Sequence, residues 1–337
     1  MEYNFDNLSE LIDTIKKYKY RKKRPRNQNC GHSLRPQFTN ELYIPYNNDM
    51  ERLINCLTSL EKINNLVGMD ELKKIIVDQV LFFSQNLNSN EMMHTCLTGP
   101  PGVGKTTLGK ILAELYCSMG FLKTDNFKVV TSADLIAGYI GQTALKTKKV
   151  LLQSLGGVLF IDEAYSLGSG DIDRGFSKEC IDTINQFLSE NTSNFIMIIG
   201  GYHDDLDRCF FSLNNGLRRR FPWIYDIKNY SINNLKEIFI YQVNESKWDF
   251  DEQLKENNYN LLEKLFKENE TLFTENGGDT LCLFDKSKIF HSRRVFGKNK
   301  NLKKTLNIVD INMAMVLHKT HKSKINVKSP PPYGMYV

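Results

Sequence analysis

The stretch Thr98-Gly99-Pro100-Pro101-Gly102-Val103-Gly104-Lys105-Thr106-Thr107 decides the fold. From Gly99 to Thr106 it matches the G-x-x-x-x-G-K-[ST] pattern without a mismatch. An apolar run, His94 to Thr98, enters it and an amphipathic segment, Lys105 to Met119, leaves it. That is the strand–loop–helix setting of a phosphate loop. Glycines let the backbone curl with its N–H groups inward, and the following helix aims its positive end at the same place. Lys105 would set a full charge against the β and γ phosphates, and Thr106 would offer its hydroxyl to Mg²⁺. Thr107 is grouped with Gly99, Pro100, Pro101, Gly102, Val103, Gly104, Lys105 and Thr106 as a position contacting the nucleotide, read as ATP.

On either side of this loop the chain alternates. Further apolar runs, Phe127 to Thr131, Val158 to Ile161, Phe195 to Ile199 and Trp223 to Ile227, read as buried strands. Between them Ala144 to Leu155 and Lys178 to Glu190 read as helices, and an amphipathic pair precedes them from Met50 to about Phe83. The alternation predicts an α/β fold, a parallel sheet with helices on both faces. After Tyr230 the pattern is helical with no strand, through Ile232 to Val243, Leu254 to Phe266 and Ile308 to His318. The expected division is a basic, largely unstructured arm over 1–48, a nucleotide-binding α/β domain over 49–230, a small α-helical lid over 231–322 and a flexible tail over 323–337. In the first stretch only Asn7 to Tyr20 has helical spacing, and little packed structure is expected there.

A second motif narrows the chemistry. Gly157-Val158-Leu159-Phe160-Ile161-Asp162-Glu163 is an apolar strand ending in two carboxylates. At the tip, Asp162 would hold Mg²⁺ through water, with Thr106, and Glu163 would polarise the attacking water as general base. No Asn-Lys-x-Asp string occurs, which disfavours a GTPase. A small-molecule kinase has no need of a base at Glu163.

With 41% hydrophobic and 25% charged residues the composition is that of a globular protein. No apolar run approaches the ~18 residues that cross a bilayer, and the first residues lack a signal-peptide pattern. The expectation is a cytoplasmic protein without membrane contact, with the nucleus or a virus-related compartment as alternatives. The seven cysteines form no Cys-x-x-Cys pair or His/Cys cluster, so neither a disulfide framework nor a zinc site is expected. The net charge of +5 is uneven, because Lys16, Lys17, Lys19, Arg21, Lys22, Lys23, Arg24 and Arg26 crowd one stretch. That stretch reads as a solvated arm, a nucleic-acid contact or an import signal.

Several strings in order resemble the AAA+ ATPases, and within them the CbbX/CfxQ group of red-type rubisco activases and SpoVK-like proteins. They are Leu66-Val67-Gly68-Met69, His94 to Gly102, Asp134 to Ala144, Gly156 to Tyr165 and Asn214 to Phe221. The resemblance covers about 66–230 and, more weakly, continues to 318. It implies that Val67 and Gly68 flank the adenine, and that Tyr139, Ile140 and Gly141 form an aromatic pore loop gripping a polypeptide, with Ser166 to Phe176 as a second loop. It implies that Arg220, in the run Arg218-Arg219-Arg220, is the finger reaching a neighbouring subunit's γ-phosphate, joining Glu163 and Lys105 as catalytic residues. His291-Ser292-Arg293-Arg294-Val295 resembles the sensor-2 segment, with Arg293 the better match. The chain departs from the family at Ile199-Gly200-Gly201-Tyr202, where a polar sensor-1 residue is expected, and at Gly297-Lys298-Asn299-Lys300, an insertion that would break the lid helix.

The resemblance thus implies a homo-oligomeric, hexameric ring motor that hydrolyses ATP and remodels or threads a protein substrate. The alternatives are an AAA+ loader or motor acting on nucleic acid through the basic arm, and an ATP-gated scaffold without turnover.

Overall fold

The computed structural model describes residues 5, 7–23, 48–87, 92–139, 141–168, 174–192, 194–214, 216–297 and 303–326. The basic stretch from Arg24 onward, Ile140, positions 169–173 of the second loop and the tail past 326 lie outside them. The chain divides into two compact units, Met1–Gly99 with Lys105–Ile227, and Pro100–Gly104 with Lys228–Val337. The seam falls at Ile227, three residues before the expected boundary, and five residues of the phosphate loop group with the second unit.

The first unit opens with α1 (Leu8–Lys23), α2 (Asn48–Asn64) and α3 (Asp70–Ser84). The expectation of little packed structure before residue 48 is corrected over α1. Leu8, Leu11, Ile12, Ile15 and Tyr18 recur at helical spacing and are all buried, and α1 packs on α2 and α3. Lys16, read from sequence as part of a basic arm, pairs with Glu61 of α2 at 2.8 Å. Burying five apolar side chains at roughly 1.5–3 kcal/mol each outweighs the solvation that its charged face favours.

The sheet follows as β1 (Thr95–Thr98), α4 (Lys105–Ser118), β2 (Phe127–Val130), α5 (Ser132–Leu135), α6 (Thr143–Gln153), β3 (Val158–Ile161), α7 (Arg174–Glu190), β4 (Ile196–Gly201), the one-turn α8 (His203–Asp205) and β5 (Trp223–Asp226). Its order is β2-β3-β4-β1-β5, and every pairing is parallel. The central strands are apolar throughout because both faces are covered. Leu159 and Ile161 join Cys180, Ile181 and Ile184 of α7 in one core. Phe160 points the other way, against Gly109 of α4, where a Cβ would lie 2.9 Å from the Phe160 ring.

His94 precedes β1 and is buried among Phe195 and Phe221. Its Nδ1 accepts the Met197 N–H at 3.1 Å. Burial, helped by the charge of Arg220, pushes this imidazole down to about 3. The folded state therefore holds His94 neutral while the unfolded chain protonates it below about pH 6.5. Stability from this residue is present above that pH and falls on acidification, by up to ~1.4 kcal/mol per pH unit until about pH 3. In urea titrations at pH 7, 5 and 4, the stability advantage of wild type over His94→Gln should shrink accordingly. An advantage constant with pH would mean that His94 is solvated enough to charge in place.

The second unit contains α9 (Ile232–Glu245), β6 (Asp249–Phe250), α10 (Glu252–Glu256), α11 (Asn260–Glu268), α12 (Gly277–Val295), β7 (Thr305–Leu306) and α13 (Ile308–Asn326). Phe239, Phe250, Phe266, Phe284, Leu306 and Ile311 are among its core residues. Three sequence readings change here. A short parallel pair, β6–β7, appears where no strand was expected. The helix expected over Leu254 to Phe266 breaks where Asn258 and Tyr259 take left-handed φ values of 47° and 60°. And α12, nineteen residues long, has no clean apolar stripe, because Asp279, Thr280, Lys286, Ser287 and His291 share its buried face with Leu283 and Phe284. Most of those polar groups have partners inside, although the buried His291 Nε2 has none among the described residues. Lys286 meets His318 at 2.8 Å, and Arg294 clasps Asp310 through Nε at 2.9 Å and Nη2 at 2.7 Å. α12 ends at Val295, just before the insertion that was expected to interrupt it.

Candidate nucleotide site

In the first unit, the carboxyl ends of the strands bring the two motifs together, as open α/β sheets do at their ligand crevices. Gly99 follows directly on β1, with a φ of +146°. A Cβ there would lie 2.4 Å from the Ile227 carbonyl oxygen, so no other residue fits this exit. Lys105 opens α4, and its ammonium donates to the Gly99 carbonyl at 2.8 Å. Burial lowers its pKa, while Asp162 and Glu163 act in the opposite sense. Thr106 donates its hydroxyl to Asp162 Oδ2 at 3.3 Å. Two residues 56 positions apart, both assigned to Mg²⁺ from sequence, are therefore in hydrogen-bond reach. Glu163 is exposed at the strand tip in a left-handed conformation, φ 50° and ψ 46°, which is uncommon for a residue with a side chain. Its own N–H donates to Asp162 Oδ1 at 3.1 Å.

Two tyrosines here were not found from sequence. The Lys105 ammonium lies 5.7 Å from the Tyr202 ring centroid, and Tyr202 sits 5.8 Å from Tyr165. The Tyr165 hydroxyl is pushed up to about 12, first by burial and then by the Glu163 carboxylate. Tyr202 follows the strand end where a polar sensor was sought, and that position was the available signal.

The second unit holds the inner loop, Pro100–Gly104. Gly102 and Gly104 have φ of +72° and +88°. A Cβ on Gly102 would lie 1.9 Å from the Glu275 carbonyl oxygen. Three successive loop carbonyls are held by this unit. Pro101 O accepts from Asn276 Nδ2 at 3.2 Å, Gly102 O from the Gly277 N–H at 3.0 Å and Val103 O from the Tyr230 hydroxyl at 2.8 Å. None of these holders was singled out from sequence; the turn string Asn276-Gly277-Gly278 was the signal available.

Arg293 is corrected by the same geometry. α12 meets the loop with its first residues, and Arg293 stands sixteen positions further on, about 24 Å along the axis at 1.5 Å per residue. It is exposed, with its guanidinium 5.7 Å from the Phe290 ring centroid. The other sequence candidates belong to the first unit. Gly68 and Met69 turn the chain with φ of 66° and 59°, and Lys73 holds that turn through the Leu66 carbonyl at 2.7 Å. Tyr139 is 74% exposed, and Gly141 beside it has φ +79° with open space where a Cβ would stand. Arg218 pairs with Asp207. Arg220 donates to Gly216 O at 2.7 Å and Ser189 Oγ at 2.5 Å. Arg219 is exposed and makes no hydrogen bond or ion pair among the described residues.

Residues 95–228 match the family model described as ATPase family associated with various cellular activities (AAA). Over these residues the chain is similar to the AAA ATPases. A putative cfxQ-like protein of Acanthamoeba polyphaga mimivirus is 41% identical over 265 residues, covering 78% of this chain and 64% of that one. Stage V sporulation protein K of Bacillus subtilis is 39% identical over 191 residues, covering 54% and 59%. The ESX-3 secretion system protein EccA3 of Mycobacterium leprae is 36% identical over 191 residues, covering 56% and 29%. This chain thus spans about three fifths of the first two relatives' length, and less of the third. Among solved structures, the FIGL-1 AAA domain in complex with ADP matches with a TM-score of 0.55 at 16% identity, covering 78% of this chain and 88% of that one. A Thermotoga maritima RuvB mutant matches at 0.52 and 18%, covering 76% and 72%. At these identities the structural matches speak for the AAA fold alone. No helix among the described residues is long and apolar enough to cross a membrane.

Proposed function

We propose that this protein hydrolyses ATP with Mg²⁺ and spends the cycle remodelling a protein partner, as a homo-oligomeric ring of AAA domains. The observation that carries the reading is the meeting of Thr106 with Asp162 at 3.3 Å, with Glu163 next in the chain at the strand tip. A hydroxyl and a single carboxylate suit Mg²⁺, which keeps most of its waters and takes its remaining ligands from phosphates. Among the described residues no cluster of three or more His, Cys, Asp or Glu could hold a metal ion by itself. When bound, Mg²⁺ neutralises charge on the phosphates. Lys105 binds the β and γ phosphates. Asp162 and Thr106 would hold the ion, and Glu163 would take the proton of the attacking water.

A polypeptide substrate is supported by the exposure of Tyr139, two residues from Gly141 with its open surroundings, and by the likeness to a secretion-system protein. An exposed aromatic ring grips varied side chains without demanding a sequence. The arginine run from Arg218 to Arg220 is assigned the role of serving a neighbouring copy's γ-phosphate.

Phosphate release assays on the purified protein, with and without a candidate polypeptide, test this reading. Tyr139→Ala should keep basal hydrolysis within about twofold and lose the stimulation a polypeptide gives. Loss of basal hydrolysis in that variant would instead make Tyr139 part of the fold of its loop. Absence of any hydrolysis by wild type would end the ATPase proposal.

A further inference from the structure

The phosphate loop in the second unit is held asymmetrically. The carbonyls of Pro101, Gly102 and Val103 all have donors, from Asn276, Gly277 and Tyr230. The N–H groups of Gly102, Val103 and Gly104 donate to no acceptor among the described residues. These two facts are linked through the peptide plane. The chain has no cis peptide among the described residues, and in a trans peptide the C=O and the next residue's N–H point in opposite directions. Pinning the carbonyls of 101, 102 and 103 toward residues 230 and 276–277 therefore turns the N–H groups of 102, 103 and 104 the other way. Three successive N–H groups on one side of a curled loop form a nest for an anion.

Asn276 is built into this arrangement. It is 1% exposed, and both its amide hydrogens are donated, to Pro101 O at 3.2 Å and Asn229 Oδ1 at 3.0 Å. Its Oδ1 accepts the N–H of Tyr230 at 3.0 Å. It thereby fixes the residue whose hydroxyl holds Val103. Its backbone has φ 50° and ψ −122°, a region costing of order 1–3 kcal/mol for a residue with a Cβ. The next residue's N–H reaches Gly102 O only because both partners are glycine: a Cβ on Gly277 would lie 2.8 Å from that oxygen. Strain of this kind persists where the surroundings over-determine it, as at ligand clamps.

We propose that Asn276 and Tyr230 are positioning residues for the triphosphate. They touch the loop and not the nucleotide, and they set the direction of its N–H donors, so that phosphate affinity depends on how the second unit holds residues 101–103. This rests on the reading of the loop as the nucleotide site. By reciprocity, a nucleotide bound at the loop stiffens residues 228–230 and 275–278.

The full-length protein tests this with ADP as probe, which is not turned over. Tyr230→Phe removes one hydroxyl and should weaken ADP binding about 3- to 10-fold by calorimetry. Asn276→Gly relieves the backbone while deleting the carboxamide, and should weaken it more, about 10- to 100-fold. In both, the melting temperature without nucleotide should stay near wild type while the ADP-induced rise shrinks, and the KM for ATP should rise more than kcat falls. ADP should slow hydrogen exchange at 228–230 and 275–278 in wild type and less so in the variants. Variants that bind ADP as wild type does, or that only melt lower without losing affinity, overturn the proposal. Wild type that binds no ADP overturns the nucleotide reading of the loop, and this proposal with it.

Discussion

Glu163→Gln is expected to bind ATP with near wild-type affinity and to hydrolyse it at least ~100-fold more slowly. General bases contribute about 10²–10⁴ to rate, and the amide cannot accept the proton of the attacking water. The substitution is isosteric, at an exposed residue on the tip of β3. Glu163 already occupies a left-handed backbone, so its replacement by a side chain of the same branching adds no new backbone cost. Asp162, whose Oδ1 accepts the backbone N–H of residue 163, keeps that bond in the variant. Affinity and chemistry should therefore separate cleanly. Calorimetry with ATP and single-turnover phosphate release measure the two. Wild-type turnover in the variant would move the base elsewhere. Lost ATP binding would mean that Glu163 shapes the site and does not serve only as its base. The same variant, held with ATP, is the means to test for a co-purifying partner and to measure the mass of any assembly by light scattering.

Lys105→Ala should lose nucleotide binding by about 10²–10⁴-fold. Lys105 is the first residue of α4, and its ammonium is half-buried with a lowered pKa. A cation held in such a place is partly desolvated in advance, so its bonds to phosphate oxygens are worth more than in water. Charge-assisted hydrogen bonds contribute about 1.5–3 kcal/mol each, and two of them account for the expected loss. The fold should survive. In the protein itself the Lys105 ammonium donates to the Gly99 carbonyl at 2.8 Å. A melting temperature near wild type, with no heat of ADP binding, is the expected pair of results. Unchanged affinity would show that the loop N–H groups carry the phosphates without this charge.

Much of the first unit is local. The strand runs ending at Thr98 and Ile161 read correctly because strands covered on both faces must be apolar through their length. The glycine positions of the loop are legible because no other residue tolerates their φ values or the approach of Ile227 and Glu275. Thr106 and Asp162 could be assigned to one ion from their motifs, and the parallel sheet supplies the 3.3 Å that joins them.

The helical half is legible only in part. α12 escapes a search for apolar periodicity because its buried face is half polar, and such a face is stable only once Lys286, Asp279 and Arg294 find partners on α13 and beyond. The failure at Arg293 has the same root. Taken from a string, its role requires the carboxyl end of α12 to approach the loop, and the fold brings the amino end. α1 errs in the opposite direction: its basic residues dominate composition, while the face formed by Leu8, Leu11, Ile12, Ile15 and Tyr18 is decided by α2 and α3.

The chain's own order of residues thus determines that a phosphate loop follows a buried strand, that a carboxylate pair ends another, and that a parallel sheet carries both. These follow from backbone torsion and solvent exclusion, which act between near neighbours in sequence. Tertiary structure alone decides what holds the loop's carbonyls, since Tyr230 and Asn276 lie 127 and 175 positions from the residues they bind. A hydrogen bond over such a separation has no local signature. It depends on two surfaces being packed first, and its donor is an ordinary tyrosine or asparagine until they are.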